Sequence, residues 1–109
     1  MEAKHRNVEH NQLLNVGNNY NYAIKRISEM NRSRTNSESE RSIKEMYLRY
    51  ILKIGRCMMQ CNELEKEFLN NEYFVPLPKG WWMEIYSRAT YYRLRLSIAR
   101  KFLKYLSLL

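Results

Sequence analysis

The stretch IKEMYLRYILKIGRCMMQCNELEKEF, Ile43 to Phe68, decides the fold class. Its residues Ile43, Tyr47, Tyr50, Ile54, Cys57, Cys61, Leu64 and Phe68 are spaced 4, 3, 4, 3, 4, 3 and 4. That spacing holds an apolar heptad seam on one side of a helix and predicts one long, unbroken element. Met46, Ile51 and Met58 widen the stripe beyond a strict seam, as in a helix facing the core of a bundle. The same residues also suit a homodimer seam. Both readings hold if another helix covers one side and a second subunit the other. Gly55 costs such a helix about 1 kcal/mol.

Upstream, Ser37 and Ser39 are candidate N-caps. Glu38 and Glu40 suit the positive end of the helix dipole. Residues 31–40, NRSRTNSESE, read as a polar linker. Before it, Leu13, Val16, Tyr20, Ala23, Ile27 and Met30 follow steps of 3, 4, 3, 4 and 3, which predicts a first helix. Gly17 and five Asn between Asn11 and Asn21 weaken that helix locally. Residues 1–10 are polar and are expected to fray.

Downstream, EYFVPLPKG (72–80) stops the seam helix, because Pro76 and Pro78 exclude helix and extend the residues before them. Tyr73, Phe74, Val75 and Leu77 are expected to pack inward. A short helix from Lys79 or Gly80 to Tyr86 follows, burying Trp81, Trp82 and Ile85. Ser87 then caps a final helix. The expected architecture is all-α: a helical hairpin with a long second helix, followed by a C-terminal helix-turn-helix. Its parts are an N-terminal helix in residues 1–34, a scaffold or dimerisation helix in residues 35–72, and a helix-turn-helix module in residues 73–109.

Charge singles out the last segment. Seven of the nineteen Lys and Arg residues lie from Lys79 onward, opposed there only by Glu84, so the segment carries +6 of the net +8. Between residues 35 and 78 the balance is six basic against seven acidic. The electrostatic footprint therefore belongs to the last helix, and it points to a polyanion. On a helical wheel, Leu94, Ile98, Phe102 and Tyr105 fall within about 60° of Tyr91 and form a core face. Ala89, Arg93, Ser97 and Arg100 lie opposite, bordered by Tyr92 and Leu96. Arginines two turns apart suit bidentate contacts to guanine and phosphate. Arg88 and Thr90 stand at the helix start, where backbone N–H groups favour phosphate. Ser87, Arg88, Ala89, Thr90, Tyr92, Arg93, Ser97 and Arg100 are thus the expected contacts to double-stranded DNA in the major groove. Leu96, Ala99, Leu103 and Leu106 form a further apolar band, expected to dock on the second helix or on another subunit.

The run YSRATYYRLRLSIARKFLKYL (86–106) resembles the C-terminal end of ArpU/RinA-type phage regulators of late-gene transcription, found in prophages of low-GC Gram-positive bacteria. Ser87, Arg88, Ala89, Thr90, Tyr91, Tyr92, Arg93, Leu94 and Phe102 carry the resemblance, and Trp81 and Trp82 look like an aromatic first helix of such relatives. The module is similar to the promoter-reading region 4 of sigma factors. The resemblance implies a bacteriophage regulator, an activator of late genes, that binds upstream of a late operon and helps recruit RNA polymerase.

Other classes find less support. No apolar run follows the N-terminal charges and no stretch reaches the roughly 18–20 apolar residues of a membrane span, so a cytoplasmic chain in a bacterial host cell, without membrane contact, is expected. Cys57 and Cys61 read as buried reduced thiols. The only histidines, His5 and His10, lie in the polar N-terminus, so no metal site is expected. No cofactor motif, phosphate loop or nucleophile paired with a histidine is present, and the chain does not read as an enzyme. The competing reading is a small protein-interaction module that binds RNA polymerase or another regulator without DNA. RNA binding through tyrosines would need exposed rings, whereas most tyrosines here fall on core-facing positions. A DNA reader of this kind is expected to act as a homodimer, with two recognition helices about one DNA turn apart.

Overall fold

Three side-chain caps, Ser37, Asn62 and Ser87, divide the chain into its helices. The computed structural model describes the backbone of residues 2–32 and 37–109, and the side chains from Asn7 onward within those ranges. The described residues form α1 (Glu2–Arg32), α2 (Glu38–Met59), α3 (Glu63–Leu69), a π-helical segment (Asn70–Phe74) and α4 (Arg88–Leu108). The described residues contain no strand, and the fold is all-α. α1 and α2 form a hairpin, and α4 packs against both. Residues 33–36 of the expected linker lie outside the described residues.

α1 buries Leu13, Ala23 and Met30, and Val16 and Tyr20 pack against the same core. The helix runs from Glu2, and its described side chains are engaged from Asn7 onward. Tertiary contacts override weak local propensity there. Asn7 and Glu9 meet arginines of α4, and His10 Nδ1 is hydrogen-bonded to the Tyr73 hydroxyl at 2.8 Å. The residues that weaken α1 locally turn out to serve packing. Gly17 is buried against the π-helical segment, where a methyl group would overlap the Tyr73 carbonyl oxygen. The Asn21 amide donates to the Phe74 carbonyl at 2.9 Å, satisfying a buried acceptor just ahead of the proline loop.

Ser37, rather than Ser39, caps α2, its hydroxyl accepting from the Glu40 amide at 3.2 Å. The expected unbroken helix is interrupted at Gln60–Asn62. Asn62 accepts from the Glu65 amide at 2.9 Å while Glu65 accepts from the Asn62 amide at 2.8 Å. This reciprocal capping box starts α3 afresh. Ile54, Cys57, Cys61 and Phe68 still reach one core across the break, whereas Ile43, Met46 and Leu64 of the expected stripe are exposed. Burial pushes the Cys57 and Cys61 thiols up in pKa, so both stay protonated, and both are free.

The Val75 amide donates to the Asn70 carbonyl at 2.8 Å, a π-type turn that ends where Pro76 has no N–H to give. The wide turn drives both Tyr73 and Phe74 into the core. Val75 and Leu77, expected inside, are exposed, because each precedes a proline and is extended away from the helices. The expected short helix over 79–86 is not formed. Tight turns replace it, with Trp81 N donating to Pro78 O, Met83 N to Gly80 O and Ile85 N to Trp82 O. Gly80 has φ +88°, which breaks any helical run through it, and Ile85 is exposed rather than buried. The corner before α4 thus lacks the regular first helix of a helix-turn-helix.

Two glycine substitutions separate these roles. Gly17→Ala should destabilise the protein by at least about 1–3 kcal/mol, since the Tyr73 backbone cannot yield as a side chain would. Gly55 is exposed with open space around it, and Gly55→Ala should stabilise by about 0.5–1 kcal/mol. Urea denaturation followed by circular dichroism checks both signs.

Candidate nucleic-acid interface

The start of α4 is held by an aromatic cluster around one carboxylate. Phe68 packs 5.4 Å from Trp81 and 5.7 Å from Tyr91, centroid to centroid, and Trp82 stacks on Tyr91 at 4.1 Å with planes 10° apart. Glu72 accepts from Trp81 Nε1 at 2.8 Å and from the Tyr91 hydroxyl at 2.7 Å. Burial, and then the hydrogen bond to Glu72, push the Tyr91 hydroxyl far up in pKa, so it remains a donor. Ser87 completes the corner. Its hydroxyl accepts from the Thr90 amide at 3.2 Å and donates to the Thr90 hydroxyl at 2.9 Å. α4 then buries Tyr91, Ile98, Ala99 and Phe102, while Leu94 and Tyr105 are half-buried. Of the apolar band, Ala99 is fully buried and Leu96, Leu103 and Leu106 are half-buried.

Ala89, Arg93, Ser97 and Arg100 share the exposed side of α4. Arg88 is exposed beside them, and Ser87 and Thr90 are engaged with each other at the cap. Tyr92 stands on the neighbouring side, 42% exposed, with the Arg88 and Arg95 guanidinium groups 5.8 and 4.7 Å from its ring centroid. Such cation–π contacts orient an arginine without neutralising it.

Three of the α4 cations have partners elsewhere in the fold. Arg95 donates to Asn7 at 3.1 Å, and Lys101 reaches both oxygens of Glu65 at 2.9 Å. Arg100 donates to Glu9 at 3.3 Å, yet its side chain remains 63% exposed. Among the described residues no ion pair involves Arg88, Arg93 or Lys104. The basic footprint is therefore narrower than the segment's charge implies. Asn7, Glu9 and Glu65 were invisible to a reading along the chain, because their partners lie 88, 91 and 36 positions away. Glu72 had only a weak signal: it and Glu84 are the two acids near aromatic residues whose N–H and O–H groups need acceptors.

Among the described residues, no cluster of three His, Cys or Glu side chains is placed to hold a metal, and no helix is long and apolar enough to cross a membrane. Compared with protein-family models, with curated proteins and with solved structures, the chain matches none.

Glu72→Gln keeps the shape but offers one carbonyl oxygen to two donors. It should cost about 1–3 kcal/mol and loosen the corner, read as a red-shifted tryptophan emission and a lower urea midpoint. Acid should weaken the fold in two stages. Burial, and then Arg95, hold the His10 imidazole below its ordinary pKa, so protonation favours the unfolded chain. Its contribution is complete above about pH 6.5 and is lost as pH falls below that value. A backbone hydrogen bond, opposed by burial and aided by Arg100, holds Glu9 low. In Glu65 burial raises the pKa, but the Asn62 amide and Lys101 outweigh it. Those two contributions disappear at more acid pH, below the ordinary carboxylate range. Urea midpoints across this range check the order, and His10→Gln should flatten only the first stage.

Proposed function

We propose that the chain is a DNA-binding transcription regulator that presents the side of α4 bearing Arg93 and Arg100 to the major groove. The single observation that carries this reading is the exposure of Ala89, Arg93, Ser97 and Arg100 along one side of a capped helix whose opposite side is core. A small residue near the start lets the helix approach the bases closely, and Arg93 supplies a bidentate fork. Arg88, at the capped N-terminus, supplies a phosphate contact together with the first backbone N–H groups. The resemblance to ArpU/RinA-type regulators supports activation of phage late genes in a bacterial cytoplasm, with RNA polymerase as a further partner. On this reading the protein is a binding protein and not an enzyme, and it acts as a homodimer. Leu48, Leu52 and Met59, exposed and spaced 4 and 7 along α2, are the side chains a second copy would cover.

The alternative, a protein-interaction module that works without DNA, draws on the same exposed apolar row. Selection from random duplex DNA, followed by gel shifts at several salt concentrations, separates the two. A DNA reader enriches one site. Arg93→Ala should then cost about 1–3 kcal/mol and relax one base position, whereas Arg88→Ala should weaken all sites evenly and lower the salt slope by about 1. Failure to enrich any site at low salt would sink the DNA reading.

A further inference from the structure

A second surface lies on the shoulder of α4, away from the arginine side. It is a half-open cleft of about 660 Å³ between α1, the loop over 77–83 and the first turns of α4. Its walls hold Leu14, Leu77, Met83 and Tyr92, four exposed apolar side chains that converge here, with Trp82 between them. Exposed apolar groups gathered in one concavity mark an interaction site, whereas scattered ones do not. Methionine and leucine at such a rim adapt to varied apolar side chains.

Two cations, Lys79 and Arg95, and one carboxylate line the cleft, and of these only the cations are donors. Its one carboxylate, Glu72, gives both oxygens to Trp81 and Tyr91 and so faces its own fold. His10 is held below its ordinary pKa, chiefly by burial, and is neutral at neutral pH. An apolar floor with an excess of one positive charge in the lining, and a carboxylate whose oxygens are already taken, complements a ligand that joins an apolar side chain to a carboxylate. Nucleic acid fits it poorly, because a phosphate backbone would leave Leu77, Met83 and Trp82 facing nothing they can bury.

We propose that this cleft docks a short acidic and apolar peptide segment of a partner protein. One leucine, methionine or aromatic side chain enters between Trp82, Leu77 and Met83, and a neighbouring glutamate or aspartate meets Lys79 and Arg95. The site does not depend on the DNA reading. Arg93 lies about 100° around α4 from Tyr92, and Arg100 about 140° from Arg95, so the two surfaces can be occupied separately.

Panning a random-peptide display library on the full chain tests this. The expected consensus combines Glu or Asp with Leu, Met, Phe or Trp. A labelled peptide of that consensus should bind in fluorescence anisotropy, and Lys79→Glu combined with Met83→Ser should weaken it at least about tenfold. Both residues are exposed, so the helical circular dichroism should not change. Lys79→Gln alone gives a milder version of the same loss. Arg93→Ala should leave peptide affinity intact even if it abolishes DNA binding. A basic consensus, no consensus, indifference to the Lys79 and Met83 changes, or loss on Arg93→Ala would each overturn the proposal.

Discussion

The Glu72 carboxylate, shared between the Trp81 indole and the Tyr91 hydroxyl, is the contact on which the rest of the structure depends. It joins three parts that sequence distance alone would leave independent: the π-helical segment, the turn-rich loop and the start of α4. Each donor would be costly to bury unpaired, and each acceptor oxygen would be costly to leave without a donor. One carboxylate meets both needs. The aromatic rings then close around it, with Trp82 flat against Tyr91 and Phe68 behind. The direction in which α4 leaves the corner follows from this cluster. In a helix-turn-helix a regular first helix sets that direction. Here turns and stacked rings do so, which makes the docking geometry of α4 a property of side chains.

The distribution of charge follows from the same packing. A net +6 in the last segment suggests a broad basic surface, but α1 and α3 return carboxylates to it. Glu65 answers Lys101, and Glu9 answers Arg100. What remains for a polyanion on the groove-facing side is a strip through Arg93, Arg100 and Lys104, with Arg88 at the helix start and Arg95 on another side of α4. A narrow strip fits a helix that enters one groove better than a surface that coats a polyanion. Non-specific binding would use every cation equally.

Helical content was legible because the 3 and 4 spacings of α1 and α2 are long and regular. The cap at Ser87 and the core face through Tyr91, Ile98 and Phe102 were equally plain, since both depend on neighbours in sequence. The break at Asn62 was written in the chain as Asn-x-x-Glu, but the heptad spacing continues through it and masks it. Its apolar positions stay in register because both helices serve one core. The loop misled for a different reason. Trp81, Trp82 and Ile85 have a helix-like spacing, yet Gly80 with positive φ and the pull of Glu72 on Trp81 favour turns. The α1–α4 contacts had no signal at all. Asn7, Glu9 and His10 read as part of a fraying polar start because their partners lie far along the chain.

Magnitudes decide whether the internal pairing of Arg100 opposes a DNA role. An ion pair as open as Arg100–Glu9 contributes about 0–1 kcal/mol. A bidentate contact from arginine to guanine in a groove is worth about 1–3 kcal/mol. Arg100 can therefore leave Glu9 for a nucleic acid if the groove contact also offsets the carboxylate left behind, whose Oε2 already has no hydrogen-bond partner. On the DNA reading the pair would lower the positive charge that attracts any polyanion, so Glu9 would penalise weak contacts by about the energy of the pair, while a well-formed groove contact would exceed that penalty.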